Sequence, residues 1–430
     1  MKLNRITVVL GLALAVISVA QAQTDIYITG STAFRAQVYA ALGDMNLAVQ
    51  QGRTSSANTF TFIGRAGDPL HIGFSADVIG VYYNVYCAFS GSVEGISALI
   101  NPGNALYDLP GSPGAGQFVN DGVDFAFSDV LQSSTQLALQ RAQRLVFLPA
   151  DTVGGVAVQP FCIAGNAAAA AKISNLTSYN VLDVLDFGGL DLSLLTGVQT
   201  DAGTQVLGCG RYNLSGTRAT TELDNADPYG INDTLLQYAL ATAQNVIPSG
   251  LLSTDGNAPA GTYWGQLVSM TLPDNVTPLD NTGTNGYFSG GNVGVALDYS
   301  SVNSTVDPTM SYVAPVIGYI SFSDAQSKLA SSTTHLLKDG NGVFTWNGQN
   351  PGVPGNWNIT GVENGTYTFW SYEHLYTHPD EPEYITTTFA NTLIQALQYA
   401  IVHTSPRTAC LISEMNVYRG GDGGDVLENP

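Results

Sequence analysis

Three times in its first 150 residues the chain runs from a short apolar strand through a turn of small residues into a helix, and this repeat restricts the possible fold most. Asp25 to Thr29 reads as a strand, Gly30-Ser31-Thr32 as a turn, and Ala33 to Met45 as a helix with Phe34, Val38 and Leu42 on one face. Asn84 to Phe89, Ser90-Gly91-Ser92 and Val93 to Ile100 repeat the pattern. After a Gly/Pro-rich insert, Asn101 to Gly122, expected as a surface loop, come the strand Val123 to Phe127, the dipeptide Ser128-Asp129, a helix over Ser134 to Ala142 and a strand over Arg144 to Leu148. Such alternation predicts an α/β fold with a largely parallel sheet, whose ligands sit at the carboxyl ends of the strands.

A second unit begins near Gly154, with helices expected around Ala167 to Lys172, Val181 to Leu185 and Asp233 to Asn245. Pro248 to Ser304 reads as long polar loops with short strands, and Thr386 to His403 as an amphipathic helix with Phe389, Leu393, Leu397 and Ile401 in one stripe. Within the second unit, Arg211-Tyr212-Asn213-Leu214-Ser215-Gly216-Thr217-Arg218 places a guanidinium, two hydroxyls and a glycine at a predicted helix start. A helix start has N–H groups without intrahelical acceptors and partial positive charge, and Arg211 adds a planar donor fork, so the stretch suits a tetrahedral oxyanion. A local helix cap formed by Ser215 or Thr217 accounts for the same residues.

Charge decides the class of ligand and partner. Lys2 and Arg5, the apolar run Ile6 to Val19 and Ala20-Gln21-Ala22 read as a cleavable leader, 1–22, so the mature chain is expected to start at Gln23, in the periplasm or secreted. Losing those two cations takes the net charge from −20 to −22. Such a body repels nucleic acid and anionic lipid, and no membrane insertion is expected after cleavage. A buried anion site remains possible, because local donors govern it.

Four cysteines, Cys87, Cys162, Cys209 and Cys410, fit two disulfides in an exported chain, with three pairings open. Their spacing does not fit a zinc site. Glu373, His374 and His378 offer a metal set only if His374 and His378 share a helix face, and Pro379 follows at once, so no metal or other cofactor is expected. Gly420 to Asp425 matches one unit of a calcium-binding repeat that works only when stacked, and reads as a flexible tail. No nucleophile elbow, phosphate-loop lysine or Ser/His/Asp set is present, so an enzyme is not expected.

Taken together, Gly30-Ser31-Thr32-Ala33-Phe34, Ser90-Gly91-Ser92, Val123-Asp124-Phe125-Ala126-Phe127-Ser128-Asp129 and Arg211 with Ser215-Gly216-Thr217 resemble, in order, the four phosphate-contacting segments of the periplasmic phosphate-binding proteins of bacterial phosphate ABC transporters. Val153 to Val158 resembles that family's first crossing strand, Gly291 to Val295 a second-lobe turn and Ile317 to Ile320 the strand after it. The resemblance implies two α/β lobes joined by crossing strands, with a ligand cleft between them. Lobe 1 would comprise 23–149 plus 372–430, and lobe 2 would comprise 150–371.

It further implies a monomer that captures inorganic phosphate and presents it to a membrane ABC permease. Thr32, Ala33, Phe34, Ser90, Gly91, Ser92, Asp129, Arg211, Ser215, Gly216 and Thr217 would bind phosphate. Asp129 would discriminate, because its carboxylate can accept a hydrogen bond from a protonated phosphate but meets only repulsion from sulfate. Ala33 stands where the family has Thr, so that hydroxyl contact shifts to Thr32 or Ser31 or is lost, and Asn213 stands where it often has Asp, removing a charge beside Arg211. Glu94 would face solvent, and Arg218 would be a second anion contact or a surface residue. The two lobes suggest Cys162 with Cys209 as one disulfide. The alternative function is an exported surface or structural interaction protein that keeps the fold with a degenerate anion site.

Overall fold

The structure, a computed structural model of the chain, describes residues 23–45, 48–52, 59–66, 81–100, 105–108, 118–135, 137–138, 143–144, 155–224, 235–241, 263–266, 282–283, 286–287, 289–299, 313–329, 342–380 and 389–429. The expected leader, 1–22, lies outside them, as do most of Asn101 to Gly122, Ser134 to Leu148 and Pro248 to Ser304.

Seven strands define the frame: β1 (Gln23–Gly30), β2 (Val81–Ala88), β3 (Phe125–Ser128), β4 (Ala157–Gly165), β5 (Gln205–Cys209), β6 (Val316–Ser321) and β7 (Trp370–Thr377). They lie in one continuous sheet in the order β5-β6-β4-β7-β3-β1-β2, extended by Leu190–Asp191 beside β5 and by Thr59–Ala66 and Ala48–Gly52 beyond β2. β1 is parallel to both neighbours, β2 and β3, and β5 is parallel to β6, which is the parallel pairing that the strand-turn-helix repeat demands.

β4 and β7 divide the sheet into two lobes. They pair antiparallel with each other from Pro160 opposite Trp370 to Ala157 opposite Glu373. β4 then runs on to pair with β6, from Phe161 to Gly165, while β7 runs the other way to pair with β3, from His374 to Thr377. Every residue of both strands is buried, as expected of strands with cover on both faces.

Each lobe has its own core. Ile26, Ile28, Val85, Cys87, Phe125 and Phe127 pack with helices α1 (Arg35–Asp44) and α6 (Ala390–His403), whose Phe389, Leu393, Leu397 and Ile401 stripe is buried as the periodicity predicts. Helix α2 (Ser92–Ile100) lies against β3. In the other lobe Cys162, Cys209, Ile317 and Tyr319 share a core with Val293 and Leu297 of α4 (Gly290–Tyr299) and Phe322 and Ala325 of α5 (Phe322–Leu329). The helix α3 (Gly216–Asp224) starts inside the Arg211 motif, as expected. Among the described residues no helix is long and apolar enough to cross a membrane.

Several expectations change. All four cysteines are free and buried. Cys162 and Cys209 lie on β4 and β5, opposite Ile320 and Gly318 of the intervening β6. Two strand spacings, about 10 Å, exceed the reach of a disulfide. Tyr238–Ala241 is a strand paired with Tyr263–Gln266, and burial alternates from Leu235 to Ala239, so a period of two replaces the helix expected over Asp233 to Asn245. Gly291 to Val295 is the first part of α4 and not a turn. Gln132–Ser134 forms a short 3-10 turn where a helix was expected to begin, and Ala105–Asp108 pairs with Phe118–Asp121 inside the expected loop.

The tail is also ordered. Val417–Tyr418 pairs with Leu427–Glu428, and the Arg419 guanidinium pairs with Asp224 and lies 4.7 Å from the Trp370 ring centroid. Asp422 accepts a hydrogen bond from the Leu131 N–H (2.6 Å). At Gly423 (φ +67°) a Cβ would come within 2.7 Å of Leu223, so glycine is needed there for both conformation and space.

Candidate functional site

Because β1, β2 and β3 run parallel, their carboxyl ends deliver three turns to one edge of lobe 1: Gly30 to Phe34, Phe89 to Ser92, and Ser128-Asp129. β5 and β6 deliver Gly210 to Thr217 and the start of α5 to the facing edge of lobe 2. Gly30 (φ +111°) permits the first turn, since a Cβ there would lie 2.0 Å from the Phe127 carbonyl oxygen, and the Ser31 N–H donates to that oxygen (2.8 Å).

Asp129 is the meeting point. It is fully buried at the end of β3. The Ser92 hydroxyl, at the start of α2, donates to its Oδ1, and the Thr217 hydroxyl, in the first turn of α3, donates to its Oδ2 (3.2 Å). Arg211 Nη1 donates to Thr217 Oγ1 (3.5 Å). A Cβ on Gly216 would fall 1.6 Å from Asp129 Oδ1 and 2.5 Å from Ser92 Oγ, so the absence of a side chain at 216 is what lets the lobes meet. Gly91 has the same role, with a hypothetical Cβ 2.8 Å from the Leu214 carbonyl oxygen and the Tyr212 hydroxyl.

Arg211 is held by its surroundings. Tyr319 accepts from its N–H (2.9 Å), Gln237 donates to its carbonyl (2.9 Å), and its Nε donates to the Tyr287 carbonyl (3.1 Å). Gly210 makes room for that network, for a Cβ would meet Gln237 Oε1 at 2.0 Å. Burial lowers the Arg211 pKa, opposed first by Asp324 and also by Asp129. Asn213 is exposed, and the largest charge opposing the effect of burial on Arg211 is that of Asp324 on α5.

Of the eleven sequence-predicted residues, Ser92, Asp129, Arg211, Gly216 and Thr217 come together directly. Gly91 abuts Leu214, and Ser90 accepts the Tyr212 hydroxyl through its carbonyl (3.2 Å). Ser215, fully buried, caps α3 by accepting the Arg218 N–H (3.3 Å), so the helix-cap reading holds alongside the anion reading. Thr32, Ala33 and Phe34 are buried ahead of α1, with the Phe34 ring turned into the core 5.8 Å from that of Phe127. Any approach of these three to a ligand would be through the N–H groups of the helix start, which in a helix have no intrahelical acceptor.

Two side chains depart from expectation. Glu94 is half-buried, and the Tyr212 hydroxyl of the other lobe donates to it; burial raises its pKa while that bond draws it back. Arg218 is buried and not a surface residue, and its Nε donates to Glu222 (2.8 Å) in an i,i+4 pair.

Sequence reasoning missed Arg35 and Asp324. Arg35 Nη2 donates to Asp324 Oδ1 (2.9 Å) in a buried ion pair that joins α1 of lobe 1 to α5 of lobe 2. Ser321 donates to the other Asp324 oxygen (3.1 Å) and caps α5 through the Asp324 N–H (3.0 Å). The available signal was the position of Asp324, just past the predicted strand Ile317 to Ile320, where a ligand edge is expected. Glu373, His374 and His378 form no metal set: β7 is a strand, which places residues four apart about 13 Å from each other.

Burial is the main cause that pushes the Asp129 pKa up to about 6, with Ser92, Arg211 and Thr217 pulling it down. Asp224, buried beside Arg419, also reaches about 6. A carboxyl whose folded pKa exceeds its unfolded value holds more protons when folded, so stability falls as pH rises from about 4 through about 6. For Asp129 the loss is about 3 kcal/mol. In phosphate-free buffer, Asp129→Asn should therefore lower Tm less than wild type does between pH 4.5 and 6.5; equal slopes in thermal melts would show that Asp129 carries no such cost.

Two α/β lobes on crossing strands, with the carboxyl ends of both parallel sets brought together, agree with the two-lobed architecture that the sequence resemblance implies. No family model and no curated protein matches the chain. Solved structures similar to it include an ABC-type phosphate transport receptor from Vibrio cholerae (12% identity, TM-score 0.40, covering 88% of this chain and 97% of that one). A high-affinity periplasmic phosphate-binding protein, PfluDING, bound with phosphate, is 15% identical with a TM-score of 0.40, covering 90% of each chain. PstS from Borrelia burgdorferi is 14% identical with a TM-score of 0.35, covering 88% of this chain and 96% of its own.

Proposed function

We propose that the protein is an exported solute-binding protein whose lobes, 23–149 with 372–430 and 150–371, close on inorganic phosphate and present it to a membrane ABC permease. It acts as a monomer in the periplasm or after secretion, once the leader is removed near Ala22, and it carries its ligand without chemical change. The observation that supports this most is Asp129, a buried carboxyl reached by Ser92 from its own lobe and Thr217 from the other, with Arg211 next in line.

The chemistry follows from the donors. The starts of α1, α2 and α3 bring the partial positive charge of three helix N-termini to the facing edges, and Arg211 supplies the full cation. These suit a small, compact anion. Asp129 then selects among anions: partly protonated phosphate can donate to it, while sulfate has no proton to give and leaves a buried carboxylate facing an anion. The Arg35–Asp324 pair lies between the lobes, so closure around the ligand also makes a buried interlobe ion pair.

Equilibrium dialysis with radiolabelled phosphate tests this reading. Retained phosphate should persist in a hundredfold excess of sulfate and be displaced by unlabelled phosphate. Displacement by sulfate at equal concentration would deny Asp129 its selective role, and no retention would remove the receptor function.

A further inference from the structure

Glu373 sits where β7 leaves β4 for β3: its backbone is opposite Ala157, and the next residue, His374, is opposite Ser128. It is fully buried, and neither carboxyl oxygen has a hydrogen-bond partner among the described residues. The hydroxyls of Ser31 and Thr32, in the first turn of the cleft, are buried and equally without partners there. A carboxyl and two hydroxyls left unmatched beside an anion site are costly unless a polar ligand meets them.

The surroundings of Glu373 fix its charge state. From the end of β3, Asp129 acts on it with like charge. From the turn after β1, Ser31 lies close enough to temper this without reaching hydrogen-bonding geometry. On the β4 side the neighbour in register is Ala157, and the Val156 N–H is taken up by the Glu373 backbone carbonyl (2.7 Å). His374 points to the opposite face of β7, where its ring neighbours Tyr372 and Tyr376. Burial first, and Asp129 second, raise the Glu373 pKa well above the usual carboxylate range.

We propose that Glu373 is a second specificity-determining carboxyl of the cleft, a neutral acid that donates a hydrogen bond to one oxygen of the bound phosphate while Asp129 accepts a hydrogen bond from the phosphate's own hydroxyl. This rests on the phosphate reading above and deepens it. One proton on the ligand and one on Glu373 satisfy both carboxyls, and the two titrate as a pair. An ionised Glu373 would put a second negative charge against the anion, so binding weakens once Glu373 loses its proton.

The test compares phosphate Kd for wild type and Glu373→Gln by calorimetry from pH 5.5 to 9. Glutamine keeps the shape and a donor but cannot ionise, and comparison at each pH cancels the titration of phosphate itself. The two proteins should agree within about twofold at pH 5.5, and the variant should bind more tightly by about tenfold at pH 9, as expected for one ionisation coupled to binding. A wild-type to variant ratio that stays constant across the range overturns the proposal while leaving the phosphate reading intact. Wild type that binds no phosphate at any pH removes both. A measurement on wild type alone guards against a misfolded variant: in the phosphate complex, the 13Cδ shifts of labelled glutamates should show one carboxyl still neutral at pH 7, and full ionisation of all glutamates by pH 6 would overturn the assignment.

Discussion

Arg211→Ala is expected to reduce phosphate affinity by about 3–5 kcal/mol, roughly two to three and a half orders of magnitude, because the anion would lose its buried, charge-assisted donor. Arg211 is 1% exposed, and its Nη1 already reaches Thr217, which in turn reaches Asp129. Folding should survive. The backbone at 211 is fixed by Tyr319 and Gln237, contacts that do not involve the guanidinium. Arg211→Lys should recover only part of the affinity, since an ammonium keeps the charge but not the planar fork. Equilibrium dialysis beside a circular-dichroism melt checks both parts: an unchanged Kd would place the anion anchor elsewhere, and a collapsed melt would mean that the side chain is structural.

Gly216→Val should be nearly as damaging for a different reason. Its Cβ would sit 1.6 Å from Asp129 Oδ1, an overlap too deep for side-chain adjustment, and the two residues belong to opposite lobes. Opening the cleft relieves the clash without disturbing either core, so the variant is expected to fold, to bind phosphate about a hundredfold more weakly, and to scatter X-rays as the more open molecule whether or not phosphate is added. Gly43→Ala is the control. Nothing lies within 4 Å of a Cβ there, in α1, and the change should leave binding untouched. A Gly216→Val protein that still binds at the wild-type Kd would show that lobe closure through this contact is not needed.

The parts legible in sequence are those that local chemistry writes. The turns Gly30 to Phe34 and Ser90 to Ser92 lie between strands and helices whose periodicity is plain, and Ser215-Gly216-Thr217 carries its own cap. Asp129 was visible because it follows a strand that the pattern already marked. What stayed hidden depends on long-range placement. Arg35 and Asp324 are 289 residues apart, and nothing near either one announces the other. Tyr212 draws Glu94 inward from the opposite lobe, against the local expectation of a solvent-facing helix carboxylate. Cys162 and Cys209 share a core, yet the strand order sets β6 between them. Tyr238–Ala241 reads as helix by composition, and only its pairing with Tyr263–Gln266 makes it a strand.

Calorimetric titration of the mature protein with phosphate at neutral pH tests the central claim most directly. One phosphate per chain, bound with measurable heat that disappears in Arg211→Ala, is the expected result. No heat beyond dilution, or an isotherm that the Arg211→Ala change leaves unaltered, would contradict a phosphate clamp between these lobes.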